Sequence, residues 1–178
     1  VWNNRIFRHI KAQADEASVK LAGERGACPD AADYGIMERF SNKMAIAPTA
    51  SISIIAGNAS PGIEPFAANA YTHKTLSGSF PVKNRYLEKL LNEKDMNNDD
   101  VWSSIFTNEG SVQHLDFLND DEKDVFKTAF EIDQRWLIEH AGDRTPYVCQ
   151  AQSLNLFLPA NVHKRDLHGL HMMAWKMG

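Results

Sequence analysis

The stretch from Lys43 to Pro65, KMAIAPTASISIIAGNASPGIEP, limits what this chain can fold into more than any other. A short apolar run, Met44-Ala45-Ile46-Ala47, has the length of a strand and stops at Pro48, which cannot donate to a ladder. A hydroxyl-rich step follows, Thr49-Ala50-Ser51-Ile52-Ser53, and then a second apolar run, Ile54-Ile55-Ala56, closed by Gly57-Asn58. A buried strand that ends at proline and hands over to small polar residues predicts a strand-to-helix turn. Thr49 or Ser51 is placed to cap its first helical turn. The amides that follow have no intrahelical acceptor and would point out of the strand's carboxyl end, where an anion can take them. Thr49 to Ser53 are therefore the candidate phosphate site. Ordinary turns also collect small and hydroxyl residues at strand ends. The step contains neither a Walker-type Gly-Lys-Ser/Thr nor GxGxxG. Pattern by itself leaves a plain turn and a phosphate loop both open.

The chain's 178 residues suit one domain, and its hydrophobic and charged fractions, 43% and 24%, are those of an ordinary globular chain. The net charge of -4 lacks the basic footprint of a nucleic-acid or anionic-membrane surface. No apolar run approaches the roughly 20 residues that span a bilayer, and no signal peptide opens the sequence. Cys28 and Cys149 form neither a metal-ligand spacing nor a disulfide framework, so a reduced, cytoplasmic setting is expected. The sequence starts at Val1 in helix-like residues and stops at Met177-Gly178 just after another helix, so a piece of a larger protein is expected.

Periodicity places the other elements. Ile6, Phe7, Ile10, Ala14, Ala17 and Leu21 predict an amphipathic helix from Trp2 to Gly23. Cys28 falls in a loop, and Asp30 to Asn42 is a connector in which Gly35 to Phe40 could form a helical turn. Arg39 and Lys43 could lend positive potential to the phosphate site, or be solvated surface charges. Tyr71, His73 and Thr75 alternate with Thr72, Lys74 and Leu76 in an extended pattern. There His73 reads as a hydrogen-bonded structural residue rather than an acid or base, and Glu64 could orient the loop by accepting from its amides. Helices are expected over Tyr86 to Leu91, over Val101 to Phe106 capped by Asp99 or Asp100, and over Asp121 to His140 capped by Asp120. In the last of these, Val125, Phe126, Ala129, Phe130, Ile132, Trp136 and Leu137 predict core packing. Ser153 to Leu158 reads as a buried strand ended by Pro159. Asn161 could cap a final helix, His163 to Met177. Its His168 and His171 share a face, but no third metal ligand is evident. Strands alternating with helices argue for an α/β fold with a parallel sheet.

PTASIS followed by AGN and GIEP resembles the substrate-phosphate loop of the large, catalytic subunit of the ribonucleotide reductase family. The likeness continues through YTHKTLSGSF (71–80), EGSVQHLDFL (109–118), DEKDVFKTAFEIDQRWL (121–137), QAQSLNLFLPA (150–160) and HKRDLHGLHMMAWKMG (163–178), closest in flavour to the class I enzymes. The resemblance implies a partial segment of a ten-stranded α/β barrel, with Met44 to Ala47 and Ser153 to Leu158 as neighbouring late strands. It divides the chain into a helix and connector (1–42), the phosphate-loop region (43–80), a helical insertion (81–142) and a late strand and helix (143–178).

In the family, backbone amides and hydroxyls of this loop hold the diphosphate of the ribonucleoside diphosphate substrate. That carries over to Pro48, Thr49, Ala50, Ser51 and Ile52, with Ser53 beside them. The family reaction replaces the ribose 2′-hydroxyl by hydrogen, using a thiyl radical and a redox-active cysteine pair. The motifs for the radical cysteine, the allosteric specificity segments and the C-terminal cysteine pair are not among these residues. No catalytic residue, metal ligand or cofactor is therefore assigned here, and the chain alone is expected to be inactive. The whole enzyme would depend on a radical-generating, di-metal small subunit and a dithiol reductant. The last helix resembles one that helps to dock the small subunit's tail, with Leu167, Leu170, Met173 and Trp175 offering apolar surface; packing on the barrel is the alternative. A stand-alone nucleotide-phosphate module, or a complementing piece of a split enzyme, is the competing expectation for the whole chain.

Overall fold

The computed structural model describes residues 1–57, 59–76 and 78–178. Asn58, expected to close the second apolar run, and Ser77, within the 71–80 motif, lie outside the described residues. The chain divides into two compact units, residues 1–48, 134–156 and 161–178 in one and residues 49–133 and 157–160 in the other. The first contains helices α1 (Trp2–Arg25), α2 (Pro29–Ala32), α7 (Arg135–Arg144) and α8 (Lys164–Lys176). The second contains α3 (Ala50–Ala56), strands β1 (Ala70–Thr75) and β2 (Gly78–Lys83), α4 (Arg85–Glu93), α5 (Asp99–Thr107) and α6 (Asp120–Val125).

In the first unit α1 packs on α7, and α7 packs on α8. The periodicity of α1 is as predicted, yet Ser18 and Ala22 are its buried residues, while Trp2 and Ile6 stay 70% and 49% exposed. Ser18 explains the connector: its hydroxyl oxygen accepts the amides of Arg39 and Phe40 at 3.1 and 3.2 Å. With Cys28 N–H donating to the Glu38 carbonyl, these bonds commit residues 38–40 to tertiary partners, so the helical turn expected over Gly35 to Phe40 does not form.

A short parallel pairing forms between residues 44–46 and residues 150–153, so it reaches only the first residue of the strand expected over Ser153 to Leu158. Ile46 pairs with Gln152, Gln150 N–H donates to the Met44 carbonyl, and Ser153 N–H donates to the Ile46 carbonyl at 2.8 Å. The register is parallel as expected, but no regular strand develops over Met44 to Ala47 or Ser153 to Leu158. A strand gains its hydrogen bonds from neighbours, and within this chain these residues have one neighbour over three or four positions. Neither run is buried: Ala45 and Ala47 are exposed and Leu154 is half-buried.

In the second unit β1 and β2 form an antiparallel hairpin, with Ala70 opposite Lys83 and His73 opposite Phe80. β2 is not among the expected elements, since Pro81 interrupts its run. In a two-stranded sheet both strands are edges, where proline is tolerated. The core beneath is made by Leu87 and Leu91 of α4, Trp102 and Ile105 of α5, Ala70, and the loop residues Val112, Leu115 and Leu118. Asn69 and Asn84 tie the base of the hairpin to that core. The Asn69 side-chain amide donates to the carbonyls of Gly110 and Phe126, and Asn84 Nδ2 donates to Asn69 Oδ1 at 3.0 Å. Gly110 is required there: its φ is +81°, and a Cβ would collide with Ala68.

Three cap assignments shift to neighbouring residues. Asn98, not Asp99 or Asp100, caps α5 through Val101 N–H. Asn119, not Asp120, caps α6 and forms a capping box with Glu122. His163, not Asn161, caps α8, its Nδ1 accepting from Arg165 N–H. The long helix expected over Asp121 to His140 is two helices, α6 and α7. Tertiary bonds end α6: Ala129 N–H donates to the Phe66 carbonyl at 2.7 Å, and Glu131 accepts from Thr128 N–H and the Ser111 hydroxyl. The expected core set splits accordingly. Ala129 and Leu137 are buried, while Val125, Phe130 and Trp136 are exposed.

Candidate functional site

The hydroxyl-rich step builds the start of α3. Thr49 stands at its N-terminal boundary with φ 50° and ψ 28°, in the left-handed region. An N-cap residue is ordinarily extended, and its side chain then folds back onto the first turn. Here no such bond forms from Thr49 or Ser51, contrary to the capping expected of them. The Thr49 hydroxyl oxygen instead accepts the Gly62 amide at 2.7 Å. Gly62 is itself left-handed at φ 58°, in the Ser60-Pro61-Gly62 turn.

Ser53 faces inward. It is 7% exposed, its amide donates to the Thr49 carbonyl at 2.8 Å, and its hydroxyl donates to the Ala50 carbonyl at 3.0 Å. The amides of Ala50, Ser51 and Ile52 and the Ser51 hydroxyl make no hydrogen bond among the described residues. Three adjacent backbone donors are thus left open at the positive end of a helix dipole.

Beside α3 lies a cavity of about 600 Å³, lined among others by Ala50, Ser53, Ile54, Tyr71, His73 and Asn84. Its walls are mostly apolar. The His73 ring, expected to be hydrogen-bonded, makes no hydrogen bond among the described residues and is half-buried. Glu64 is buried at 9% exposure within the same unit.

The charges near Met44 belong to a different arrangement. Lys43 is neither a loop cation nor a solvated surface charge, because its ammonium bridges Asp15 at 2.5 Å and Glu38 at 3.2 Å. Lys11 also reaches Asp15, at 2.6 Å. The hydrogen bonds from Lys11 and then Lys43 hold the Asp15 carboxyl below its ordinary value. The neighbouring Ser18 hydroxyl and then Lys43 lower Glu38, while Asp15 raises Lys43. Cys149 joins this arrangement, its sulfur accepting the amides of Lys43 and Met44 at 3.1 and 3.2 Å. Those two bonds, Lys43 first, push the Cys149 thiol down. A role for Cys149 was not foreseen, since its amide donors come from residues more than a hundred positions earlier.

On α8, His163 is the cap and His171 Nδ1 lies 2.8 Å from the Leu167 carbonyl. No group of three or more metal-ligating side chains occurs among the described residues. No helix among them is long and apolar enough to cross a membrane.

Comparison with known proteins places this geometry. A family model described as the ribonucleotide reductase barrel domain matches residues 30–178. The ribonucleoside-diphosphate reductase large subunit of Invertebrate iridescent virus 6 is 52% identical across 99% of this chain, which spans 19% of that protein. The large subunit of Danio rerio is 32% identical over 99% of the chain and 26% of its own length. Among solved structures, the Actinobacillus ureae class Id ribonucleotide reductase alpha subunit superposes with a TM-score of 0.88 at 40% identity, over 98% of this chain and 31% of that one. The chain therefore belongs to the ribonucleotide reductase family, as a partial α/β segment of the large subunit's barrel domain.

Proposed function

We propose that this chain serves in the catalytic subunit of a ribonucleoside-diphosphate reductase, where its part is to hold the substrate's diphosphate. The observation that carries the proposal is the set of open amides at Ala50, Ser51 and Ile52, in a chain whose relatives are reductase large subunits. The site comprises Pro48, Thr49, Ala50, Ser51, Ile52 and Ser53. Pro48 has no amide to offer and ends the preceding segment. Ala50, Ser51 and Ile52 donate from the backbone, and Ser51 adds a hydroxyl. Thr49 and Ser53 shape the turn, Ser53 through its bond to the Ala50 carbonyl. Hydrogen bonds to a charged acceptor contribute about 1.5–3 kcal/mol each. Three or four suffice to anchor a nucleotide by its phosphates while the ribose is left free for chemistry elsewhere.

In the complete enzyme the ribose 2′-hydroxyl would be replaced by hydrogen through thiyl-radical chemistry, with a dithiol as the final reductant. A radical-generating small subunit would be the partner, its tail lying along His163 to Met177. Trp175 and Leu167 support that surface, at 74% and 37% exposure. Both cysteines are free, which fits a reducing, cytoplasmic setting. No residue of this segment is given a role at the reacting carbon, and the segment by itself is expected to be inactive.

The test is a thermal unfolding series with and without a ribonucleoside diphosphate, on the chain and on Ser51→Pro, which removes one open amide. Ligand at a hundredfold excess over Kd stabilises by about 2.7 kcal/mol. That rise is expected in the chain and lost in the variant. An equal rise in both would place the nucleotide elsewhere.

A further inference from the structure

Thr49 carries a conformation that its residue type avoids. A β-branched side chain at positive φ is an outlier, and such strain persists only where surrounding contacts impose it. The contact here is the Gly62 amide, which donates to Thr49 Oγ1 at 2.7 Å across thirteen residues. The consequence reaches the next three residues. An extended threonine at this boundary would fold its hydroxyl back onto the amide of Ile52 or Ser51 and satisfy it. Left-handed and tied to Gly62, Thr49 turns its hydroxyl away, so the amide it would have capped stays open beside the other two of Ala50, Ser51 and Ile52. Gly62 can serve this purpose because, at φ 58°, it holds its own N–H toward Thr49 in a turn closed by Glu64 N–H on the Pro61 carbonyl.

We infer that Thr49 is a positioning residue. Its hydroxyl, held by the Gly62 amide, keeps the turn left-handed and so keeps three backbone donors aimed at the diphosphate. The inference rests on the diphosphate role proposed above, and it assigns Thr49 a part different from that of a phosphate ligand. It also explains why a turn remote from the loop in sequence, Ser60-Pro61-Gly62, accompanies the hydroxyl-rich step.

Three substitutions separate positioning from direct contact. Thr49→Val keeps the shape and loses the acceptor. Thr49→Ser keeps the acceptor. Thr49→Gly has no hydroxyl but adopts positive φ without strain. Each variant is titrated with inorganic pyrophosphate and with a ribonucleoside diphosphate, with circular dichroism as the check on folding. The intraresidue amide–Hα NOE at position 49, strong only at positive φ, is read in parallel. The expected result is a loss of about tenfold in affinity for Thr49→Val, the size of one hydrogen bond, together with loss of the strong NOE. Thr49→Ser should rescue both, and Thr49→Gly should recover most of what Thr49→Val loses. Thr49→Gly binding as weakly as Thr49→Val, with its fold intact by circular dichroism, would overturn the inference and make the hydroxyl a direct ligand. A strong NOE retained in Thr49→Val would also overturn it, since the turn would then not need the Gly62 bond. If Ser51→Pro binds as the parent chain does, the diphosphate role itself fails. The NOE series then still decides what holds Thr49.

Discussion

At the scale of single residues, the structure sorts side chains by what their neighbours already supply. Lys43 has two carboxylates within reach, and its backbone amide is given to Cys149. The sign of the resulting pH dependence follows from the shifts. Asp15 and Glu38 are lowered on folding, so their contribution is present above their ordinary values, about 4, and is lost as pH falls through the lowered ones. Lys43 is raised, so its contribution is full below its ordinary value and is lost as pH rises past the raised one. Stability should therefore drop below about pH 4, and Lys43→Met should lessen that drop in part, since Lys11 still lowers Asp15 and the Ser18 hydroxyl still lowers Glu38. Thermal midpoints measured from pH 3 to 7 decide it; an equally steep fall in the variant would mean other carboxylates carry the effect. At Cys149, alkylation by iodoacetamide should follow a pH midpoint below the ordinary thiol value of about 8.5. A midpoint at or above that value would show that the two amide bonds do not hold in solution.

At the scale of elements, caps and cores are local devices with measurable worth. Asn119→Ala removes the side-chain half of the capping box on α6, leaving the Asn119 N–H bond to Glu122, and should cost about 1 kcal/mol in denaturant unfolding. Leu87 is fully buried in the core under the hairpin, and Leu87→Ala should cost about 2–5 kcal/mol. A loss under about 0.5 kcal/mol at Leu87 would contradict the packing described, since that is the scale of an ordinary surface change. The helical elements were legible because Ile6, Ile10 and Leu21, or Leu87 and Leu91, repeat at helical spacing. What was not legible depended on partners distant in sequence. Asp121 to His140 has unbroken helical periodicity, yet the bonds of Thr128 and Ala129 to Glu131 and Phe66 stop it after Val125. β2 was hidden by Pro81, harmless on an edge. Two of the misplaced caps, Asn98 and Asn119, are adjacent to the residue expected, because several capping side chains stand in a row at Asn97 to Asp100 and Asn119 to Asp121; the third, His163, stands two residues after Asn161. The hydroxyl residues single out the step proposed to hold phosphate, but the left-handed Thr49 and its bond to Gly62 leave no local signature.

At the scale of the whole molecule, the chain spans from 16% to 31% of the reductase subunits compared with it. Large apolar side chains such as Trp2, Ile55 and Trp136, at 70%, 86% and 56% exposure, are the kind of surface that packs against further protein. Under the proposed function, the substrate's diphosphate would fall to this segment because it offers adjacent backbone donors without needing basic side chains, which suits a chain of net charge -4. The direct measurement is an amide-resolved titration of the isotope-labelled chain with a ribonucleoside diphosphate. The account predicts that the resonances of Ala50, Ser51 and Ile52 move first and furthest, downfield as each amide gains a charged acceptor, with Gly62 following through Thr49. Saturable shifts confined to other residues, or none in a chain whose spectrum is that of a folded protein, would contradict it.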